Sequence, residues 1–188
     1  MKRRLVISAF VLICLSLLGF GTIAYFSTQD TATNVVTMGN LDIKLTETAI
    51  SEDGTEVPFE DVVGVMPGAS VSKIARIENI GGQPAYVRVQ IQKEITLAGG
   101  VLGEVDLGLV NLDINARDWT EKDGYYYYNK PLLPGETTEP IFENVIFSRD
   151  MGNMYQSSQA KITVNVGATQ VANNGDNALE AAGWPTDN

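Results

Sequence analysis

Apolar residues along this chain fall into two regimes. From Leu5 to Phe26 they form an almost unbroken run, preceded by Lys2, Arg3 and Arg4, and no Asp or Glu occurs before Asp30. After residue 30 they alternate with polar residues. The clearest case is Ala160-Lys161-Ile162-Thr163-Val164-Asn165-Val166-Gly167-Ala168-Thr169, apolar at even positions and polar or small at odd ones. A period of two sets one face of a strand in a core and the other in water. Val87 to Gln92 and Leu41 to Leu45 repeat the pattern, and Val71 to Ile80 follows it less strictly. Ile141 to Phe147 is rich in β-branched and aromatic residues, which suit a half-buried pleat.

Turn signals separate these runs. Asp53-Gly54 and Asp123-Gly124 are hairpin pairs. Pro67-Gly68 and Pro134-Gly135 carry the residues that turns between strands need, and Gly81-Gly82-Gln83-Pro84 breaks two strands apart. Residues 97–110, with four glycines, read as a loose hairpin or a long loop. Helical signal is thin. Asp176 to Ala182 predicts a short helix, capped by Asp176 or a neighbouring Asn, ended by Gly183 and stopped by Pro185. Arg149 to Tyr155 holds room for one turn. Many short strands with frequent turns predict an all-β fold. The expected form is an antiparallel sandwich of jelly-roll or Greek-key type with one or two short helices. Trp119 is expected in its core, and Trp184 is expected to fold back and pin the tail.

The first 26 residues have the charged start and apolar stretch of a secretory signal. The run is also long enough to cross a bilayer as a helix, which takes roughly 17–25 residues, so a retained signal anchor is the alternative. Gly19, Gly21, Thr22 and Ala24 near its end, and the polar stretch from Ser27, favour cleavage around Ala24, Tyr25, Phe26 and Ser27. Residues 27–188 then form a single domain, large enough for a real core. Cys14 follows Ile13 inside the apolar run, so it is not a lipoprotein cysteine, and the polar C-terminus lacks a sorting tail.

Charge and composition narrow the function. With the three leader cations removed, 10 basic residues face 23 acidic ones, a net charge of −13. Such a surface repels phosphate backbones and anionic lipid, which argues against nucleic-acid partners and against membrane contact beyond the leader. Cys14 is the only cysteine and lies in the leader, so the mature domain has no disulfide. The chain contains no histidine. That removes HExxH, Cys/His zinc sites and Ser-His or Cys-His dyads, and no cofactor is implied.

Gly21-Thr22-Ile23-Ala24-Tyr25-Phe26 followed by Thr37-Met38-Gly39-Asn40-Leu41-Asp42-Ile43 resembles the leader junction of the TasA/camelysin family of Gram-positive bacteria. Further along come Pro67-Gly68, a strand, Glu78-Asn79-Ile80-Gly81 and Ala85-Tyr86-Val87-Arg88-Val89, similar to the family's Pro-Gly, strand, Asn-x-Gly, strand. The segments around Tyr125 to Tyr128, Leu133 to Thr138 and Met151-Gly152-Asn153 resemble shorter clostridial members. The resemblance implies export with a dedicated signal peptidase and a jelly-roll domain. It also implies assembly into extracellular biofilm-matrix fibres or a cell-surface layer, in which the mature N-terminal segment adds a strand to the next subunit. Residues 27–36, with Thr31, Thr33, Val35 and Val36, are the candidate donor; a tail or an ordinary first strand is the plainer reading. The camelysin label implies a metallopeptidase, against which the missing histidines argue, so a non-enzyme is expected.

Other candidates are weaker. Tyr125, Tyr126, Tyr127 and Tyr128 form either a surface aromatic patch for glycans or partners, or a strand with two tyrosines on each face. The acidic clusters Glu52-Asp53-Glu56 and Glu60-Asp61 match no calcium loop and read as a solvated face. Carboxylate pairs of a glycosidase have no support in spacing. The expectation is a secreted, self-associating structural protein, with a monomeric glycan- or protein-binding module as the alternative.

Overall fold

The most strictly alternating segment forms the longest strand of the protein. A computed structural model describes residues 26–29, 34–37 and 41–185. Its strands are β1 (Phe26–Gln29), β2 (Asn34–Thr37), β3 (Ile43–Ile50), β4 (Glu56–Pro58), β5 (Val62–Val65), β6 (Ser70–Asn79), β7 (Ala85–Thr96), β8 (Val110–Leu112), β9 (Trp119–Lys122), β10 (Tyr125–Tyr128), β11 (Phe142–Phe147) and β12 (Ser158–Gln170). Single 3₁₀ turns lie at Leu107–Leu109 and Asn153–Tyr155.

Two sheets pack face to face as an all-β sandwich. One has the order β5-β1-β12-β7-β10-β9, with β2 also on β12, and the other β4-β3-β6-β11-β8. Successive strands cross repeatedly from one sheet to the other, as jelly-roll wiring requires. Strand β12 runs antiparallel to β7 from Gln159 opposite Thr96 to Gln170 opposite Ala85. Its even-numbered residues Ala160, Ile162, Val164, Val166 and Ala168 are buried against Ile43, Leu45, Ala75, Ile77, Phe142, Val145 and Phe147 of the opposite sheet. Trp119 is buried in this core, as expected. Asp123 and Gly124 take φ of 53° and 79°, so the β9–β10 hairpin turns tightly with the right-handed strand twist.

Two local readings change. The segment 176–182 is one turn rather than a helix. The Asn177 carbonyl accepts from Glu180 and Ala181, and its side chain accepts from Leu179 and Glu180. Further winding is prevented because Ala182 donates its N–H to the Asn174 side chain and its carbonyl accepts from Thr169. Tertiary hydrogen bonds thus replace the helical ones. The N-terminal strands also pair parallel to β12, a departure from a purely antiparallel sandwich. One side of β12 is already taken by β7, and the segment runs along the other in the same direction. The 97–110 stretch is a loop ending in the first 3₁₀ turn, and Asn153–Tyr155 supplies the turn expected near 149–155.

Candidate functional site

The N-terminal segment and the edge it covers form the first candidate surface. Phe26, Ser27, Thr28 and Gln29 lie opposite Ser158, Gln159, Ala160 and Lys161; Asn34 to Thr37 lie opposite Asn165 to Ala168. From Phe26 to Asn34 the numbering therefore advances by eight, while on β12 it advances by seven, from Ser158 to Asn165. On its other side β1 pairs antiparallel with β5, Phe26 opposite Val65 and Thr28 opposite Val62. Strand β1 thus fills a slot between β5 and β12. Of the candidate cleavage residues, Phe26 and Ser27 are the first two of this strand, while Ala24 and Tyr25 lie outside the described residues. Of the candidate donor residues, Val35 and Val36 are in β2, and Thr31 and Thr33 lie outside the described residues.

The four tyrosines are divided between two faces. Tyr128 points inward, its ring 5.1 Å from that of Trp119, and its hydroxyl accepts from Glu139 N–H at 3.3 Å. Tyr126 is half-buried on the same side. On the other side, Tyr127 lies edge-on to Trp184 at 5.6 Å and 6.3 Å from Tyr125. Arg88 stacks its guanidinium over Tyr125 at 3.9 Å and Trp184 at 5.0 Å, and donates to the Pro185 carbonyl at 2.8 Å. Tyr86 donates to the Gly175 carbonyl. The outward pair is therefore engaged by the C-terminal tail, and no four-ring surface platform forms. Trp184 pins the tail as expected. Gly167 makes the close approach possible: a Cβ there would lie 3.1 Å from Pro185 Cγ. Gly167→Val is expected to displace the tail at a cost of about 2 kcal/mol. The check is a red shift of tryptophan emission with cooperative unfolding retained; unchanged emission would show that the tail tolerates the side chain.

Two carboxylates of the first acidic cluster are tied up locally, while Glu52, Glu60 and Asp61 are exposed. Asp53 accepts from Ser51 Oγ at 2.6 Å, Thr55 Oγ1 at 2.7 Å and Thr55 N–H at 3.1 Å. These bonds hold its carboxyl at about 2, below the usual range, so it stays ionised through acid conditions. Glu56 is bonded to Thr48 and Arg76, which lower its pKa. Among the described residues, no group of three or more His, Cys, Asp or Glu is arranged to hold a metal ion.

A half-open cleft of about 400 Å³ between the edge strands β8 and β9 is a feature that alternation alone does not announce. Ile91, Leu112, Ile114 and Tyr126 wall it, with Lys93 and Glu121 at its polar side. Burial, and then the Glu121 charge, raise the Tyr126 phenol above its ordinary value. Lys93 is committed to the Leu107 and Val110 carbonyls, at 3.1 and 2.8 Å.

The profile of one family, described as camelysin metallo-endopeptidase, matches residues 1–99. That stretch runs from the N-terminal apolar run through β7. No curated protein and no solved structure matches the chain. The matched profile covers more than half of the 188 residues and includes the 21–43 junction, Pro67-Gly68 and Asn79-x-Gly81, while the similar segments at 125–128, 133–138 and 151–153 lie beyond it. The chain belongs to the camelysin metallo-endopeptidase family, which includes TasA and whose members are generally extracellular or on the cell surface.

Proposed function

We propose that residues 27–188 form a secreted structural subunit that assembles into matrix fibres or a surface layer by exchanging its N-terminal strand. The observation that supports this most is the position of β1 between β5 and β12. The pairing is made by backbone groups, so the same slot accepts the same segment from a second copy with the same register. Such an exchange keeps every hydrogen bond and closes into a chain of subunits when the exchange is head to tail. An empty slot would expose an edge of β12, which favours occupation by one copy or another. Signal peptidase acts at the start of this strand, so leader removal frees the end that must move.

The same reading makes the protein a non-enzyme. The metal that the family description implies needs imidazole, thiolate or clustered carboxylate ligands. This chain has no His, its one Cys is in the leader, and the described residues bring no three such groups together. The donors present do not fit a peptidase metal. A second reading, a monomeric binding module, is favoured by the cleft beside Tyr126.

Electron microscopy of purified 27–188 beside 37–188 tests the proposal. Filaments from the first and none from the second are expected. Monomers from both across salt and pH would overturn assembly and move the weight to the cleft. Peptide hydrolysis by the pure protein that a chelator abolishes would overturn the non-enzymatic part.

A further inference from the structure

A charged pair sits inside the sandwich where nothing in the proposed assembly uses it. Glu47 continues the inward parity of Ile43 and Leu45 on β3, and Lys73 that of Ala75 and Ile77 on β6. Glu47 is opposite Ala75, so the two side chains are diagonal neighbours across the strands. Such neighbours are within reach of long side chains. The register of β6 with β11 shifts by one residue between Ala75 and Ser72, a bulge at Lys73–Ile74 of the kind that re-aims side chains.

The pair is close, dry and lidded. Lys73 Nζ lies 2.9 Å from Glu47 Oε1, and the side chains are 2% and 10% exposed. The Phe59 ring covers Nζ at 3.8 Å, and the Phe59 N–H donates to the Glu47 carbonyl at 3.1 Å, which fixes the lid over the pair. The Lys73 ammonium is buried and makes no hydrogen bond of good geometry within the described residues, although the carboxylate is at contact distance. A buried ion pair with donors unmet is a costly arrangement. An amide at the same place carries no charge and has one donor instead of three.

We infer that Lys73 and Glu47 condense into an intramolecular amide that staples β3 to β6. The reacting forms are an amine and a carboxylic acid, related to the ion pair by one proton passed from Lys73 Nζ to a Glu47 carboxylate oxygen 2.9 Å away. The Lys73 Nζ lone pair attacks Glu47 Cδ and forms the C–N bond. A C–O bond breaks, and the leaving oxygen carries the acid proton and one proton from nitrogen away as water. No oxidant or reductant takes part. Oriented groups at this range react with effective molarities of roughly 10⁵–10⁸ M. That proximity lowers the barrier to attack, and Phe59 covers Lys73 Nζ on one side. The mature domain has no cysteine, so this is a covalent tie open to a chain without disulfides. The inference stands apart from strand exchange, since the pair lies within one subunit's β3–β6 ladder.

Intact-mass spectrometry of purified 27–188 tests it. The expected mass is lighter than the sequence by one water. The tryptic digest should hold a branched peptide joining the segments of Glu47 and Lys73, with no cleavage after Lys73. Lys73→Arg and Glu47→Ala should have full mass, and Glu47→Gln should give the same branched peptide by loss of ammonia. Full mass in the unmodified protein after prolonged incubation would overturn the proposal. So would a water loss that persists in Lys73→Arg, which would point to succinimide at Asp53-Gly54 or Asp123-Gly124.

Discussion

A Trp119→Ala variant is expected to lose about 4 kcal/mol of stability, the usual cost of truncating a buried aromatic side chain. The side chain is 1% exposed, packs on Tyr128 at 5.1 Å and donates from Nε1 to the Glu139 carbonyl at 3.1 Å. Tyr128 in turn receives the Glu139 N–H. The two rings therefore hold the backbone on both sides of Glu139, and removing the indole leaves a cavity together with an unpaired carbonyl. Urea denaturation checks it: the midpoint should fall with little change in slope. Trp184 remains as the one tryptophan to report the transition. A loss under about 1 kcal/mol would show that the core collapses into the space.

The second large effect is expected at Asn79. Its side chain donates to the Gln83 and Leu132 carbonyls at 2.8 and 2.9 Å and accepts from Gly81 N–H at 3.0 Å. Its backbone bonds Glu136 and Gly135. The residue ties the end of β6 to the 132–136 turn and is fully buried. Asn79→Ala removes three side-chain bonds at roughly 1 kcal/mol each, about 3 in all. Asn79→Asp should lose more, because a carboxylate would face two carbonyl oxygens. Chemical denaturation of both variants decides the matter; an aspartate variant as stable as the unmodified protein would refute the network. The glycine two residues on has its own reason, since a Cβ at Gly81 would come within 2.8 Å of Asp42 N. The Asn-x-Gly element is thus a buried polar knot with a close backbone contact, and it serves the fold rather than any chemistry.

Much of the sandwich was open to reading from local pattern. Strands β3, β7 and β12 fall where period-two alternation predicts them, and Asp123-Gly124 forms the hairpin its type demands. The expected helix at 176–182 was a sound local reading that lost to Thr169 and Asn174, which claim the backbone groups of Ala182 from another part of the chain. The tyrosine run shows the same limit. Alternation splits it between two faces, but nothing near it in sequence says that Trp184 and Arg88 will cover one of them. Glu47 and Lys73 carry a local signal of their own: each is a charge on the inward parity of its strand, two residues from buried Leu45 and Ala75.

Local pattern is enough for the all-β class, most strand positions, the tight turns and the lack of imidazole and disulfide chemistry. These follow from short-range periodicity, turn chemistry and residue counts, which need no knowledge of neighbours in space. What needs the folded molecule is that residues 26–29 and 34–37 pair parallel with β12. The tertiary structure also decides that the tail docks on Tyr125 and Tyr127, and that Glu47 meets Lys73 beneath Phe59. Alternation says which side of a strand is buried, but not which distant strand lies beside it. That choice is made by the packing of the whole core.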